Sequence, residues 1–159
     1  MSAPRKTTGK FDDVPLPALL HATRGTYTGA IQSAQAEAGC GDVPASGEFI
    51  VSAMEWSGAS LESVIRWLGV TKQAAGQTVE LLVARGYLER TRDPSDRRRV
   101  NLSLTDRGRV AGRAARMAIE QIDGDLRARV GSASIAHARA TLIALLEIKR
   151  KLRAEVQET

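Results

Sequence analysis

The chain has 159 residues, 43% of them hydrophobic and only 4% aromatic, which excludes a disordered polymer and argues against an aromatic-rich β-sandwich. No apolar run approaches the ~20 residues of a membrane span, and a lone cysteine, Cys40, excludes a disulfide within the chain. The net charge of +5 is unevenly placed: residues 85–116 carry ten arginines against four acids, while the remainder is close to neutral. So concentrated a basic segment suits a polyanionic partner.

Residues 1–14 are polar and lack the apolar core of a secretory signal, so they read as a flexible leader on a cytoplasmic protein. From Leu16 the positions Leu16, Leu20, Thr23, Tyr27, Ile31 and Ala34 step by three or four, the stripe of one long helix. Pro15 and Pro17 stand at its start, where a missing N–H costs nothing. "AGCGDVPASG" ends it. Ser46 is placed to cap a second helix carrying Phe49, Ile50, Ala53 and Trp56.

Ser60 then offers a cap to a third helix, with Leu61, Val64, Ile65 and Leu68 on one face. Gly69 suits its end, Val70 plugs the turn, and Thr71 caps the next helix at once. So short a connection predicts a helix-turn-helix. The fourth helix, over about 71–85, turns Ala75, Val79 and Leu82 inward and Lys72, Gln73, Gly76 and Gln77 outward. That outward face bears a cation and two amides and meets no acid before Glu80. Gln can bond adenine edges bidentately, and Lys can bond guanine or phosphate. Gly76 costs about 1 kcal/mol inside a helix, which makes sense where backbone must approach another surface or a neighbouring helix closely.

"YLERTR" and the alternation of Val100, Leu102 and Leu104 predict two strands of a hairpin over about 87–104, with "RDPSDRR" as its loop. Thr105 caps a long helix that begins at Asp106 and runs to Gly131 through Val110, Ala114, Met117, Ile122 and Leu126. A last helix carries Ile135, Leu142, Leu145, Leu146, Leu152 and Val156. Too little chain remains to cover both that stripe and the first helix, so a second copy is expected to bury them across a two-fold axis. The expected organisation is a leader over 1–14, a dimerisation helix over 15–40, a winged helix-turn-helix lobe over 45–105 and C-terminal dimerisation helices over 106–159. The fold class is mainly α with a small β-hairpin wing.

A helix-turn-helix followed by an arginine-tipped hairpin can place one helix in a major groove and its wing in a flanking minor groove, where arginine meets enhanced negative potential. Asp96 can bond a neighbouring guanidinium and fix its direction. Two histidines and one cysteine, far apart in sequence, supply neither a metal site nor a nucleophile–base pair. No catalytic residue, metal or cofactor is therefore assigned, and the chain is read as a binding protein rather than an enzyme. A second reading is a winged-helix protein-interaction module that has lost DNA binding.

Residues 68–108, "LGVTKQAAGQTVELLVARGYLERTRDPSDRRRVNLSLTDRG", resemble the MarR (multiple antibiotic resistance regulator) family of transcription factors. The hallmark D-x-R wing followed by L-T-x-x-G is met by Asp96, Arg98, Leu102, Leu104, Thr105 and Gly108. The resemblance implies a homodimeric regulator, by family habit a repressor, that grips a palindromic operator in double-stranded DNA. It implies that Arg98, flanked by Arg97 and Arg99, enters the minor groove and that Asp96 orients it. It places Thr71, Lys72, Gln73 and Gln77 at the major groove. It also implies a small aromatic effector held between the dimerisation helices and the lobe, where His21, Tyr27 and Trp56 are candidates, although packing inside the core accounts for each of them as well. A redox role for Cys40 is not favoured, because it falls in a Gly-rich loop with no assured cation beside it.

Overall fold

The computed structural model describes residues 11–69, 71–92 and 100–157. Its elements follow the order α1 (Leu16–Glu37), α2 (Glu48–Ser57), α3 (Leu61–Leu68), α4 (Lys72–Ala84), β1 (Leu88–Arg92), β2 (Val100–Leu104) and α5 (Asp106–Gln157). The strands form a two-stranded antiparallel sheet, with Leu88 opposite Leu104 and Arg92 opposite Val100. Asp13–Gln121 forms one compact unit, and the chain from Ile122 onward belongs to a second.

In the first unit the inward faces of α2, α3, α4 and the hairpin converge on one core. Val51, Val64, Leu82, Tyr87 and Ala111 are fully buried there, with Ile50, Leu88 and Leu104 beside them. Cys40 is a buried free thiol in the same cluster. Pro15 stands at the N-cap of α1 and Pro17 in its first turn. Ser46 does not cap α2. Gly47 holds that position, and the Ser46 hydroxyl lies 3.0 Å from that of Thr78 on α4 instead. The reason is close packing: a Cβ on Gly47 would sit 2.9 Å from Leu82. Phe49 and Trp56 are exposed rather than core residues, and Trp56 retains 65% of its surface.

The start of α5 packs on this core through small residues. Gly108, Ala111, Gly112 and Ala115 are all buried, and they recur at the three-or-four spacing of one helix face. The larger Val110 and Met117 are exposed. An added Cβ on Gly108 would lie 2.1 Å from the Tyr87 carbonyl oxygen, and one on Gly112 would lie 2.6 Å from Glu55 Cβ. The buried Gln35 of α1 donates to the Ala111 carbonyl at 3.3 Å, tying α1 to the same face.

In the second unit α5 is interrupted at Gly131, whose φ of 79° and ψ of 159° are not helical. Beyond it Leu142, Ile143, Leu145, Leu146, Ile148 and Leu152 are each between 37% and 56% exposed. Such a run of large apolar groups is unusual on a surface that stays in water. No helix among the described residues is long and apolar enough to cross a membrane.

The tight seat of α5 sets a stability prediction. Gly108→Ala should cost about 2 kcal/mol or more, because a backbone oxygen cannot move aside as a side chain can. It should lower the urea midpoint with the slope unchanged. An unchanged midpoint would contradict the close approach.

Candidate nucleic-acid interface

Local chemistry fixes the two helices of the turn. The Ser60 hydroxyl accepts from the Ser63 N–H at 3.4 Å at the start of α3. Gly69 ends α3 at φ 61°, a left-handed conformation that favours glycine, and its N–H bonds the Ile65 carbonyl at 3.1 Å. The Thr71 hydroxyl accepts from the Ala74 N–H at 3.2 Å and opens α4. Val70, between these caps, lies outside the described residues.

Ala75, Thr78, Val79 and Leu82 face the core, while Thr71, Gln73, Gly76 and Gln77 are exposed. The first turn of α4 holds no acid. Glu80, the first acid along the helix, is in an ion pair with Arg90 of β1. The exposed start of α4 thus presents amides and a hydroxyl, and the first acid along the helix is already paired, which suits reading base edges. Lys72 belongs to the same turn.

The direction of the hairpin is set where α4 ends. The Tyr87 N–H bonds the Leu82 carbonyl at 2.8 Å and the Gly86 N–H bonds the Val83 carbonyl at 3.0 Å. With Gly86 at φ 72° this is a Schellman turn, which leads the chain straight into β1. The Thr105 hydroxyl donates to the Gly86 carbonyl at 2.5 Å and accepts from the Gly108 N–H at 3.0 Å, so the end of β2 is held to the same turn. The Asp42 carboxylate accepts from the Tyr87 hydroxyl and, at 2.7 Å, from Arg107. Arg107 lies over the Tyr87 ring, 4.5 Å from its centre, and donates to the Arg85 carbonyl at 2.7 Å.

The ladder of the hairpin ends at Arg92 opposite Val100. Asp96, Arg97, Arg98 and Arg99 fall between these positions in the chain and outside the described residues.

A cavity of about 620 Å³ lies between α1, α2 and α4. His21, Arg24 and Thr28 line it from α1, Phe49 and Ile50 from α2, and Ala74, Ala75 and Thr78 from α4. Of the three residues expected near an effector cleft, only His21 borders it. Tyr27 and Trp56 do not, because Tyr27 projects from a different face of α1 and Trp56 is at the far end of α2. Sequence reading passed over Arg24 and Phe49, whose roles depend on which helix faces which. Among the described residues no group of three or more His, Cys, Asp or Glu is placed to hold a metal ion.

Residues 60–99, which include α3, α4 and β1 and stop short of β2, match the sequence model of the MarR family. Over that segment the chain is similar to the MarR family. Solved structures of MarR regulators share its fold over most of its length. A MarR regulator from Oenococcus oeni superposes with a TM-score of 0.69 at 11% identity, over 84% of this chain and 99% of that one. FabT of Streptococcus pneumoniae, solved in complex with DNA, gives 0.66 at 20% identity over 86% and 96%. CouR of Rhodococcus jostii, solved with p-coumaroyl-CoA bound, gives 0.62 at 27% identity over 84% and 92%. No curated protein sequence matches the chain. The mostly helical architecture with one antiparallel hairpin is the MarR winged-helix fold.

Two carboxyls in this lobe respond to pH in opposite senses. The bond from Tyr87 holds the Asp42 carboxyl below its ordinary range, with the Arg107 and Arg85 charges assisting and partial burial opposing. Burial, followed by the bond to Asp42, keeps the Tyr87 hydroxyl protonated well above its usual range. Glu48 is buried, accepts from Gln32 at 2.7 Å through one oxygen and, among the described residues, has no partner for the other. Burial raises its pKa, and the Gln32 bond offsets only part of that. The stabilisation due to Asp42 is therefore present above its unfolded-state pKa and is lost as pH falls through the lower folded value. The penalty of Glu48 instead grows as pH rises from its unfolded value through the higher folded one. Asp42→Asn should flatten the acid side of the stability profile, and Glu48→Gln should raise stability at neutral pH while leaving it unchanged at pH ~3. Denaturant titrations across pH read both, and parallel profiles for wild type and Asp42→Asn would contradict the role of Asp42.

Proposed function

We propose that the chain is a sequence-specific, DNA-binding transcriptional regulator that works in the cytoplasm as a homodimeric repressor on a palindromic operator. The observation that carries this reading is the exposed, Thr71-capped start of α4, bearing Gln73 and Gln77 beside a hairpin rooted at the end of the same helix. Thr71, Lys72, Gln73 and Gln77 contact base edges and phosphates in a major groove. Asp96, Arg97, Arg98 and Arg99 serve the adjacent minor groove, with Arg98 inserted and Asp96 orienting it. FabT, a protein of similar fold, is solved in complex with DNA, which supports the DNA-binding reading.

The second copy covers the apolar C-terminal stripe together with the exposed Leu16 and Leu20 of α1. Two lobes related by a two-fold axis then meet half-sites whose symmetry mirrors their own. The cavity beside α4 takes a small aromatic acid, with Phe49 and Ile50 against the ring and Arg24 and His21 at its anionic group. Because Ala74, Ala75 and Thr78 form one wall, a bound molecule shifts α4 relative to α1 and α2 and lowers DNA affinity. CouR, a protein of similar fold, is solved with p-coumaroyl-CoA, a thioester whose acyl group likewise carries an aromatic ring.

A mobility-shift titration on duplexes selected from random DNA tests the reading. Affinity should fall steeply with salt, by a slope of about −0.9 for each phosphate neutralised. Arg98→Ala should weaken binding about ten-fold or more. A protein with no salt-dependent complex on any selected duplex, or an Arg98→Ala variant that binds as wild type, would contradict it. Hydroxycinnamic or benzoic acids should raise the melting temperature of wild type and have no effect on Arg24→Ala.

A further inference from the structure

Gly76 has no conformational reason to be glycine, because it lies within α4 and its φ is negative. Nor does packing among the described residues require it. A Cβ added there would meet none of their atoms within 4 Å. The neighbouring-helix explanation that the sequence allows is thereby removed, leaving a stability cost that this lobe does not recover internally.

The missing side chain opens onto a groove of about 560 Å³ between α3, α4 and the hairpin. Ile65, Val79 and Leu102 supply apolar walls, and Glu62, Glu80 and Arg90 stand among its polar lining. Glu80 and Arg90 are paired with each other. A phosphate entering here would approach two carboxylates, with the one guanidinium already engaged. A small uncharged apolar group meets no such opposition. One base alone, thymine, presents an apolar group in the major groove, its 5-methyl. Gln73 and Gln77, exposed on the adjacent face of α4, carry the amides that pair with adenine edges.

We infer that Gly76 is a specificity-determining residue whose missing side chain admits the 5-methyl of a thymine in each half-site. This rests on the DNA-binding reading above and adds a base preference to it. The methyl comes to rest against the Val79 end of the groove, and the close approach of the α4 backbone lets the two flanking glutamines reach the same or the next base pair.

The test pairs a protein substitution with a base substitution on the duplex that wild type selects from random DNA. Each half-site thymine is replaced in turn by deoxyuridine, which removes only the methyl. One symmetric position should weaken wild-type binding roughly four-fold per half-site, the worth of one buried methyl. Gly76→Ala should bind the thymine duplex more weakly than wild type and be insensitive to deoxyuridine at that same position. It should also melt roughly 2–4 °C higher, since alanine favours the helix, which separates lost recognition from lost folding. If wild type binds but no deoxyuridine position matters, or Gly76→Ala keeps the wild-type response, the thymine subsite is overturned while the DNA-binding reading stands. If wild type selects no duplex, both fall together.

Discussion

The buried Tyr87 ring is the joint on which the lobe depends. Its N–H closes the turn that ends α4, and its carbonyl receives the Thr105 N–H at the end of β2. Its hydroxyl reaches Asp42 in the loop before α2, and its ring carries the Arg107 guanidinium from the first turn of α5. Four segments thus meet at one residue, two through its backbone and two through its side chain. A hairpin on its own is marginal in water, and its direction would be free if only the two strands defined it. Because the same residue closes the end of α4 and leads into β1, the spacing between helix and hairpin is set by covalent geometry and a few short bonds. The proposed docking in adjacent grooves of one duplex needs such a fixed relation, since a small misplacement forfeits contacts at both.

The elements legible in the sequence were those governed by one residue acting on its neighbours. Ser60, Gly69, Thr71 and Thr105 each cap or end a helix in the expected place. The period-2 alternation of Val100, Leu102 and Leu104 marks β2 for the same reason. What escaped depends on partners distant in the chain. Asp42 and Arg107 stand 65 positions apart, and nothing local marks either as half of an ion pair. Ser46 has the chemistry of a cap but spends its hydroxyl on Thr78, 32 positions away.

The seat of α5 carries a different lesson. Searching for large apolar groups points to Val110 and Met117, which are exposed. The helix instead packs through Gly108, Ala111, Gly112 and Ala115, because its backbone comes so close to Tyr87 and Glu55 that no larger side chain fits. Periodicity of small residues is the signal there. The effector candidates divide in a similar way. His21 borders the cavity by α4, whereas Trp56 is left exposed at the end of α2, since an aromatic on an amphipathic helix need not lie on its buried stripe. The arginine tip lies outside the described residues, so its role rests on its place in the sequence between two strands whose register is fixed.

The lobe leaves its amide-bearing helix face open, and the chain from Ile122 on leaves a large apolar stripe open. The first is suited to nucleic acid and the second to a copy of the same chain. On the proposed reading the two surfaces together make a dimer with two reading heads, which a footprint can resolve directly. Hydroxyl-radical cleavage and dimethyl sulfate modification of a selected duplex should reveal two symmetric blocks, each a protected major groove flanked by a protected minor groove. Their centres should be about one helical turn apart or a multiple of it. A single asymmetric block, or major-groove protection with every flanking minor groove open, would contradict a wing and helix that act on one duplex together.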